Sequence, residues 1–268
     1  MMVVRKTSPT NKRLNVKITL LGTGTSQGVP VIGCQCAVCT SPDPRDNRLR
    51  SSALISDGTV NILIDPGPDF RQQMLRAQVQ RLDAIIITHE HNDHVIGIDD
   101  VRPFNFVTGQ PIRMYALARV ASELRRRFEY VFGDPIPGLP RIELLTIDQD
   151  SIVQVAGIEI QAIGIMHGTL PILGFRISDL TYLTDVKTIR PSERLKIAGT
   201  RFLVVNALQH LPHPTHLNLE ECLALWEQLR PEQTWLTHIS HYLGLTSDIE
   251  QILPDSVSLG YDGLSIEW

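Results

Sequence analysis

This 268-residue chain is poor in the features that mark secreted, membrane-spanning or nucleic-acid-coating proteins. Its four cysteines, three of them crowded into seven residues, are no disulfide framework. No stretch approaches the roughly 18 apolar residues of a membrane span. The opening segment, MMVVRKTSPTNKRLNVK, carries charge without an apolar run, so neither a signal nor a transit peptide is expected. Basic residues are not in excess. The 25 Lys and Arg against 29 Asp and Glu leave a net charge of -4, which argues against a broad basic surface for nucleic acid. Repeats and low-complexity linkers are missing too. What is present is 43% hydrophobic and 20% charged, the composition of a globular protein with the cytoplasm as its expected location.

Residues 1–15 read as a polar, basic tail and residues 16–268 as one domain. VKITLLG is a strand. SALIS and NILID flank Asp57-Gly58, a hairpin signal, and a short amphipathic helix, PDFRQQMLRAQV, follows. DAIIITH is a buried strand ending at His89. The segment from Leu117 to Phe132 reads as one helix with Val120, Leu124, Phe128 and Val131 on its apolar face. Strands dominate from Ile142 to Thr184, and RFLVVNAL and QTWLTH add two more. Asn218 to Leu229 is a helix with Asn218 as N-cap and Glu221 at N3, the spacing of a capping box. Strands in runs, interrupted by helices in both halves, fit two face-to-face sheets with helices outside, in four layers, better than one doubly wound sheet.

The densest chemistry lies in THEHNDH. Three histidines (His89, His91, His94) and Asp93 fall within six positions after an apolar strand. Imidazole and carboxylate together suit zinc, manganese or iron, and this density exceeds what one tetrahedral ion uses easily, so two metals side by side are expected. Two adjacent cations lower the pKa of bound water to about 7 and neutralise phosphate oxygens, which is the chemistry of metal-assisted phosphodiester hydrolysis.

The motif resembles the metallo-β-lactamase superfamily, whose signature is H-x-H-x-D-H after a strand. The resemblance runs from LLGTG to YDG and implies an αββα sandwich with the site along the edge between the sheets. It further implies that His89, His91 and His167 hold one metal, that Asp93, His94 and His238 hold the other, and that Asp185 in YLTD bridges them. A carboxylate at 185 resembles the hydrolases of the family rather than the lactamases that place cysteine there.

GCQCAVC holds Cys34, Cys36 and Cys39, three of the four ligands that a closed structural zinc needs. Together with LLGTGTSQGVPVI before it, this stretch resembles the phosphoribosyl cyclic phosphate phosphodiesterase branch, which implies that His241 in LTHISH completes a Cys3His zinc site. The same resemblance implies two catalytic divalent metals (zinc or manganese), a small cyclic phosphodiester as substrate and a homodimer. The phosphodiester is expected to be phosphoribosyl 1,2-cyclic phosphate or a nucleoside 2′,3′-cyclic phosphate. It also implies a histidine before the helix at 218 that protonates the leaving oxygen. His216 is the choice by alignment on THLNLEECLAL, and His213 leaves the assignment open. Three rivals are a transfer-RNA 3′-processing endonuclease, an accessory protein of pyrroloquinoline quinone synthesis, and a zinc-stapled binding module without turnover. The negative net charge and the lack of a convincing exosite arm disfavour the first, and the complete ligand set disfavours the other two.

Other features read as structural. Cys222 falls on the apolar face of its helix with Leu219, Trp226 and Leu229. Arg125, Arg126 and Arg127 sit off the apolar face of theirs, as a solvated surface does. Arg45, Arg48 and Arg50 either grip a second phosphate or pair with Asp43 and Asp46. Asp65 and Asp69 are expected to organise a turn, and Gly22 and Gly24 to allow close backbone approach to a metal loop.

Overall fold

The structure is a computed structural model describing residues 16–134 and 136–268, so the tail expected over residues 1–15 lies outside the described residues. The first sheet takes β1 (Lys17–Gly22), β2 (Ser52–Ser56), β3 (Asn61–Ile64), β4 (Ala84–Ile86), β5 (Ile112–Leu117) and β6 (Ile142–Ile147). The second takes β7 (Ile152–Val155), β8 (Ile158–His167), β9 (Leu170–Ile177), β10 (Leu180–Leu183), β11 (Thr188–Ile189), β12 (Phe202–Asn206), β13 (Gln233–Thr237) and β14 (Val257–Leu259). The last strand, β15 (Ser265–Glu267), returns to the first sheet beside β1. The orders are β15-β1-β2-β3-β4-β5-β6 and β11-β8-β9-β10-β12-β13-β14, with β7 also paired to β8. Each sheet is antiparallel at one side and parallel at the other: β3 to β6 run parallel, as do β10, β12, β13 and β14.

Strand parity sorts the core. Successive side chains on a strand point to opposite faces. In β3, Ile62 and Ile64 enter the layer between the sheets while Leu63 joins Phe70, Met74, Val120 and Leu124 under the outer helices. In β12, Val204 faces the other sheet, while Leu203 and Val205 pack with Ile197, Leu219, Cys222 and Leu225 beneath the helices of the second side. Both faces of both sheets are thus covered, which makes three apolar layers and four layers of backbone, as expected.

Two local expectations change. The helix read from Leu117 to Phe132 is two, Ala118–Arg127 and Glu129–Phe132, because Phe128 between them leaves helical geometry to bury its ring. The β2–β3 hairpin closes over residues 57–60 rather than over Asp57-Gly58 alone. The Asp57 carboxylate accepts from the amides of Thr59 and Val60 and so builds the turn. The capping box is present: Asn218 accepts from the Glu221 amide and Glu221 accepts from the Asn218 amide.

Candidate metal centre

The candidate ligands stand where strands end. His167 is the last residue of β8, His89 lies three residues past β4, Asp185 two past β10, and His238 directly past β13. Three strand ends share one device. Asp65, Asp185 and His238 all have positive φ, 59°, 57° and 53°. A non-glycine residue in that region costs on the order of 1–2 kcal/mol. The turn swings each side chain out of the pleat toward the same edge.

His91 stands at the N-terminal end of the short helix Asn92–Val95, which carries Asp93 and His94. Gly67 allows this helix to approach the β3–helix turn: a Cβ there would lie 2.3 Å from the Asp93 carbonyl oxygen. Gly22 serves a different contact from the one expected. Its Cβ would lie 2.0 Å from the Arg50 carbonyl oxygen, so it admits the 48–50 segment and not the histidine motif.

The donor atoms converge in two adjoining groups. His89, His91 and His167 form one, and Asp93, His94 and His238 the other, each with its ligand atoms within 4.8 Å of one another. Asp185 lies between, its Oδ2 3.3 Å from both His94 Nε2 and His238 Nδ1. His94 Nε2 is buried without a hydrogen bond although two carboxylates, Asp93 and Asp185, stand 3.2 and 3.3 Å away. A ring nitrogen so placed fits a shared cation. The residues present therefore suit two divalent metals.

Burial sets the protonation of the ring. It holds His89 well below its ordinary pKa, lowers His91 and His167, and brings His238 down to about 4, so these imidazoles are neutral and ready to ligate. His94 is the exception. Burial pushes it down, but Asp93, Asp185 and Asp65 outweigh that and hold it well above the usual value. A metal arriving there displaces a proton.

Asp65 does more than organise a turn. It is fully buried, receives His94 Nδ1 at 2.7 Å, and accepts from the amide and hydroxyl of Thr88, at 2.8 and 2.6 Å. That fixes the ring of His94 with Nε2 facing the cluster. His167 is fixed similarly, by the carbonyls of Asp185 and Thr215 at 3.0 and 2.9 Å from its Nδ1. Arg127, expected on a solvated face, reaches back to the motif: its guanidinium donates to the Glu90 carbonyl at 2.6 Å and to Asn92 Oδ1 at 3.0 Å. Arg119 joins it by pairing with the Glu90 carboxylate and donating to the Pro171 carbonyl. Nothing in the spacing of these arginines marks them, because the contact is made across the fold.

His216 lies inside the cluster, its Nε2 3.0 Å from Asp185 Oδ1. His213 stands one step outward, its Nδ1 3.1 Å from His216 Nδ1. His210 lends its carbonyl to the Asn218 side chain.

The cysteines form a separate centre. The sulfurs of Cys34, Cys36 and Cys39 lie 3.3, 3.3 and 3.4 Å from His241 Nδ1. A tetrahedral zinc with ordinary bond lengths would set these pairs about 3.6 Å apart. The four residues fit such an ion. The Val31 amide donates to Cys39 Sγ. The Cys39 amide helps bring the Cys36 thiol down to about 6, while burial pushes Cys39 up to about 11. Cys222 is fully buried in the second outer core, as expected.

The arginines after the cysteines are structural. Arg48 is buried and donates to the hydroxyls of Thr23 and Thr246, Arg45 pairs with Asp43 and Glu250, and Arg50 pairs with Asp69. Asp46 takes Thr246 rather than an arginine.

Residues 60–239 match the family model described as a beta-lactamase superfamily domain. A crystal structure described as a new diphosphatase from the PhnP family superposes with a TM-score of 0.88 at 37% identity, covering 94% of this chain and 98% of that one. Zinc-bound PqqB from Methylobacterium extorquens superposes with a TM-score of 0.78 over 94% of this chain and all of that one, but at 19% identity it speaks for the fold alone. Among curated proteins, an octanoyltransferase of Porphyromonas gingivalis is 41% identical over 252 residues, 93% of this chain and 51% of that protein. The chain thus spans about half the length of the curated relatives it matches.

Proposed function

The chain belongs to the metallo-β-lactamase superfamily, and from that premise we propose that it is a dinuclear metallohydrolase of small phosphodiesters. Cyclic ones come first: phosphoribosyl 1,2-cyclic phosphate or nucleoside 2′,3′-cyclic phosphates. The observation that carries the reading is Asp185, placed between two three-residue ligand groups and within 3.0 Å of a histidine that belongs to neither proposed ligand set.

In this reading His89, His91 and His167 would hold one cation, Asp93, His94 and His238 the other, and Asp185 would be open to both. Two such ions, zinc or manganese, supply Lewis acidity toward phosphate oxygens and an activated water at neutral pH. The chain's own residues do the rest. Asp65 and the carbonyls of Asp185 and Thr215 hold the ligand rings in fixed tautomers. The fold excludes bulk water from His89, His94, Asp185 and His238, all nearly or fully buried, which strengthens each electrostatic contact. His216 offers a proton at Nε2 to the departing sugar oxygen, and His213, more exposed behind it, hands the proton on. The Cys3His zinc is proposed as a staple that fixes the loop of His238 to the N-terminal segment.

A second reading rests on the 37% identical PhnP-family diphosphatase: a phosphoanhydride in place of a cyclic diester. Attack at phosphorus is common to both. A phosphate leaving group depends less on acid than an alkoxide does, so His216→Ala separates them. The name of the octanoyltransferase describes a protein about twice as long, and we carry no acyl transfer over to this chain. Its described thiols are either buried in the core or gathered round His241.

The test is a panel on zinc- and manganese-loaded protein: phosphoribosyl 1,2-cyclic phosphate, nucleoside 2′,3′-cyclic phosphates, a dinucleoside diphosphate, precursor transfer RNA and a β-lactam. Turnover of the cyclic diesters is expected. Turnover of precursor transfer RNA or the lactam alone would overturn the proposal.

A further inference from the structure

The three histidines proposed for the first cation come from different sheets. His89 and His91 follow β4 of the first sheet, and His167 ends β8 of the second. Their rings meet across the gap. The centroid of His167 lies 5.5 Å from that of His89 and 5.2 Å from that of His91. The spacing of this group therefore depends on how the two sheets stand to each other. Apolar packing contributes little to that on this side, because the sheets part round a cleft of about 360 Å³. Leu117 and Ile147 wall it from the first sheet, Met166 and Leu173 from the second.

Arg119 lines the same cleft and bridges it. It is the second residue of the helix Ala118–Arg127, which follows β5 of the first sheet. Its guanidinium pairs with the carboxylate of Glu90, the residue between His89 and His91. It also donates to the Pro171 carbonyl at 2.7 Å, and Pro171 faces Met166 in the β8–β9 ladder, one residue before His167. One planar cation, with its donors in a fixed fork, thus touches both elements that supply this group. The second group has its own supports. His94 rests on Asp65, and the Ser51 hydroxyl lies 3.1 Å from His238 Nδ1.

We propose that Arg119 is a positioning residue for the first cation alone, a strut across the cleft that holds His167 against His89 and His91. The inference rests on the dinuclear reading and adds that the two cations have independent supports. Without the strut the three donors keep their identity and lose their spacing. Partners that orient ligands in this way are worth about 10–100-fold in metal affinity. Lysine is a poor replacement, because one ammonium on a flexible stem does not offer the fork that reaches both acceptors.

The experiment titrates manganese into protein freed of its exchangeable metals, for wild type, Arg119→Ala, Arg119→Met, Arg119→Lys and, as control, Asp65→Asn. Electron paramagnetic resonance separates a coupled pair of manganese ions from an isolated one. Anomalous scattering from crystals soaked at limiting manganese gives the occupancy of each group. Arg119→Ala should weaken the ion among His89, His91 and His167 by about tenfold or more and leave the other ion's affinity unchanged. At a manganese level that fills both groups in wild type, its spectrum should become that of an isolated ion. Arg119→Met, which keeps the apolar stem over the cleft, should behave alike if Arg119→Ala does not fold. Arg119→Lys should recover only part of the loss. Millimolar guanidinium should restore the coupled spectrum in Arg119→Ala and not in Asp65→Asn, a rescue that a merely structural role would not show. Equal weakening of both ions, or of neither, overturns the proposal, and so does a loss that guanidinium leaves unchanged. If wild type itself takes up a single ion in the cluster, the dinuclear reading falls. The strut then stands if that ion lies among His89, His91 and His167 and Arg119→Ala weakens it, and falls otherwise.

Discussion

Cys34→Ser offers a perturbation whose size follows from the topology. The serine is nearly isosteric but is a poor zinc ligand, so the Cys3His set drops to three. A zinc ion held by this set would tie Cys34 to His241 across 207 positions of the chain. Cross-linking a loop of that length removes about 5 kcal/mol of conformational freedom from the unfolded ensemble in the chain-entropy account. In a domain of this size about 1 kcal/mol moves Tm by roughly 2–4 °C. The variant, or the wild type stripped of its tight zinc, should melt roughly 10 °C or more below the zinc-loaded protein. Differential scanning calorimetry with parallel zinc analysis reads both quantities. Turnover should fall less steeply than stability, and mainly because the His238 loop is no longer held. A variant that loses its zinc but melts with wild type would refute the staple. So would one that keeps its zinc and its Tm yet loses all turnover, because the cysteine would then be acting chemically.

Other expectations follow from single contacts. Asp185→Asn should leave the fold intact and lower kcat by at least about 10³-fold, with one catalytic metal lost on dialysis, as metal analysis would show. Asp65→Asn weakens the partner of His94 Nδ1 and should cost about 10–100-fold in metal affinity, measured by chelator competition. Arg127→Ala frees the Glu90 carbonyl and Asn92, and should weaken metal binding by about tenfold with little change in Tm. In the metal-free protein, burial brings His238 down to about 4 while an unfolded imidazole titrates near 6.5. The unfolded chain takes up the proton first. This contribution to stability is therefore full above about pH 6.5 and is lost as pH falls toward 4, by about 3 kcal/mol. Urea titrations of metal-free wild type and His238→Gln across that range check it, and the variant should show the smaller loss.

The four layers were legible in the order of elements, strands in runs interrupted by helices in both halves, and strands such as NILID and RFLVVNAL bury both faces as that arrangement requires. The histidine motif stood out because ligands from one strand end are close in sequence. Asp65 was visible as a residue but not in its role, since only the fold brings it under a histidine 29 positions away. Arg127 shows the same limit more sharply. Helical periodicity placed it off the apolar face correctly, yet a residue off that face can point at solvent or at a neighbouring loop, and periodicity does not distinguish the two. The positive φ at Asp65, Asp185 and His238 also left no local trace, because glycine or asparagine, the usual markers of that conformation, are replaced by residues the site needs chemically. For Arg48 the sequence leaves open a phosphate or an acidic partner, and its burial against Thr23 and Thr246, which takes it out of solvent, is a fact of the fold.

The account stands or falls most directly on the number and placement of metal ions. Elemental analysis of the purified protein, paired with anomalous scattering from its crystals, should find three ions per chain. Two should lie around Asp185 and exchange readily, and one among Cys34, Cys36, Cys39 and His241 should be held tightly. A single ion around Asp185 under metal-replete conditions would contradict the dinuclear site on which the proposed hydrolysis depends.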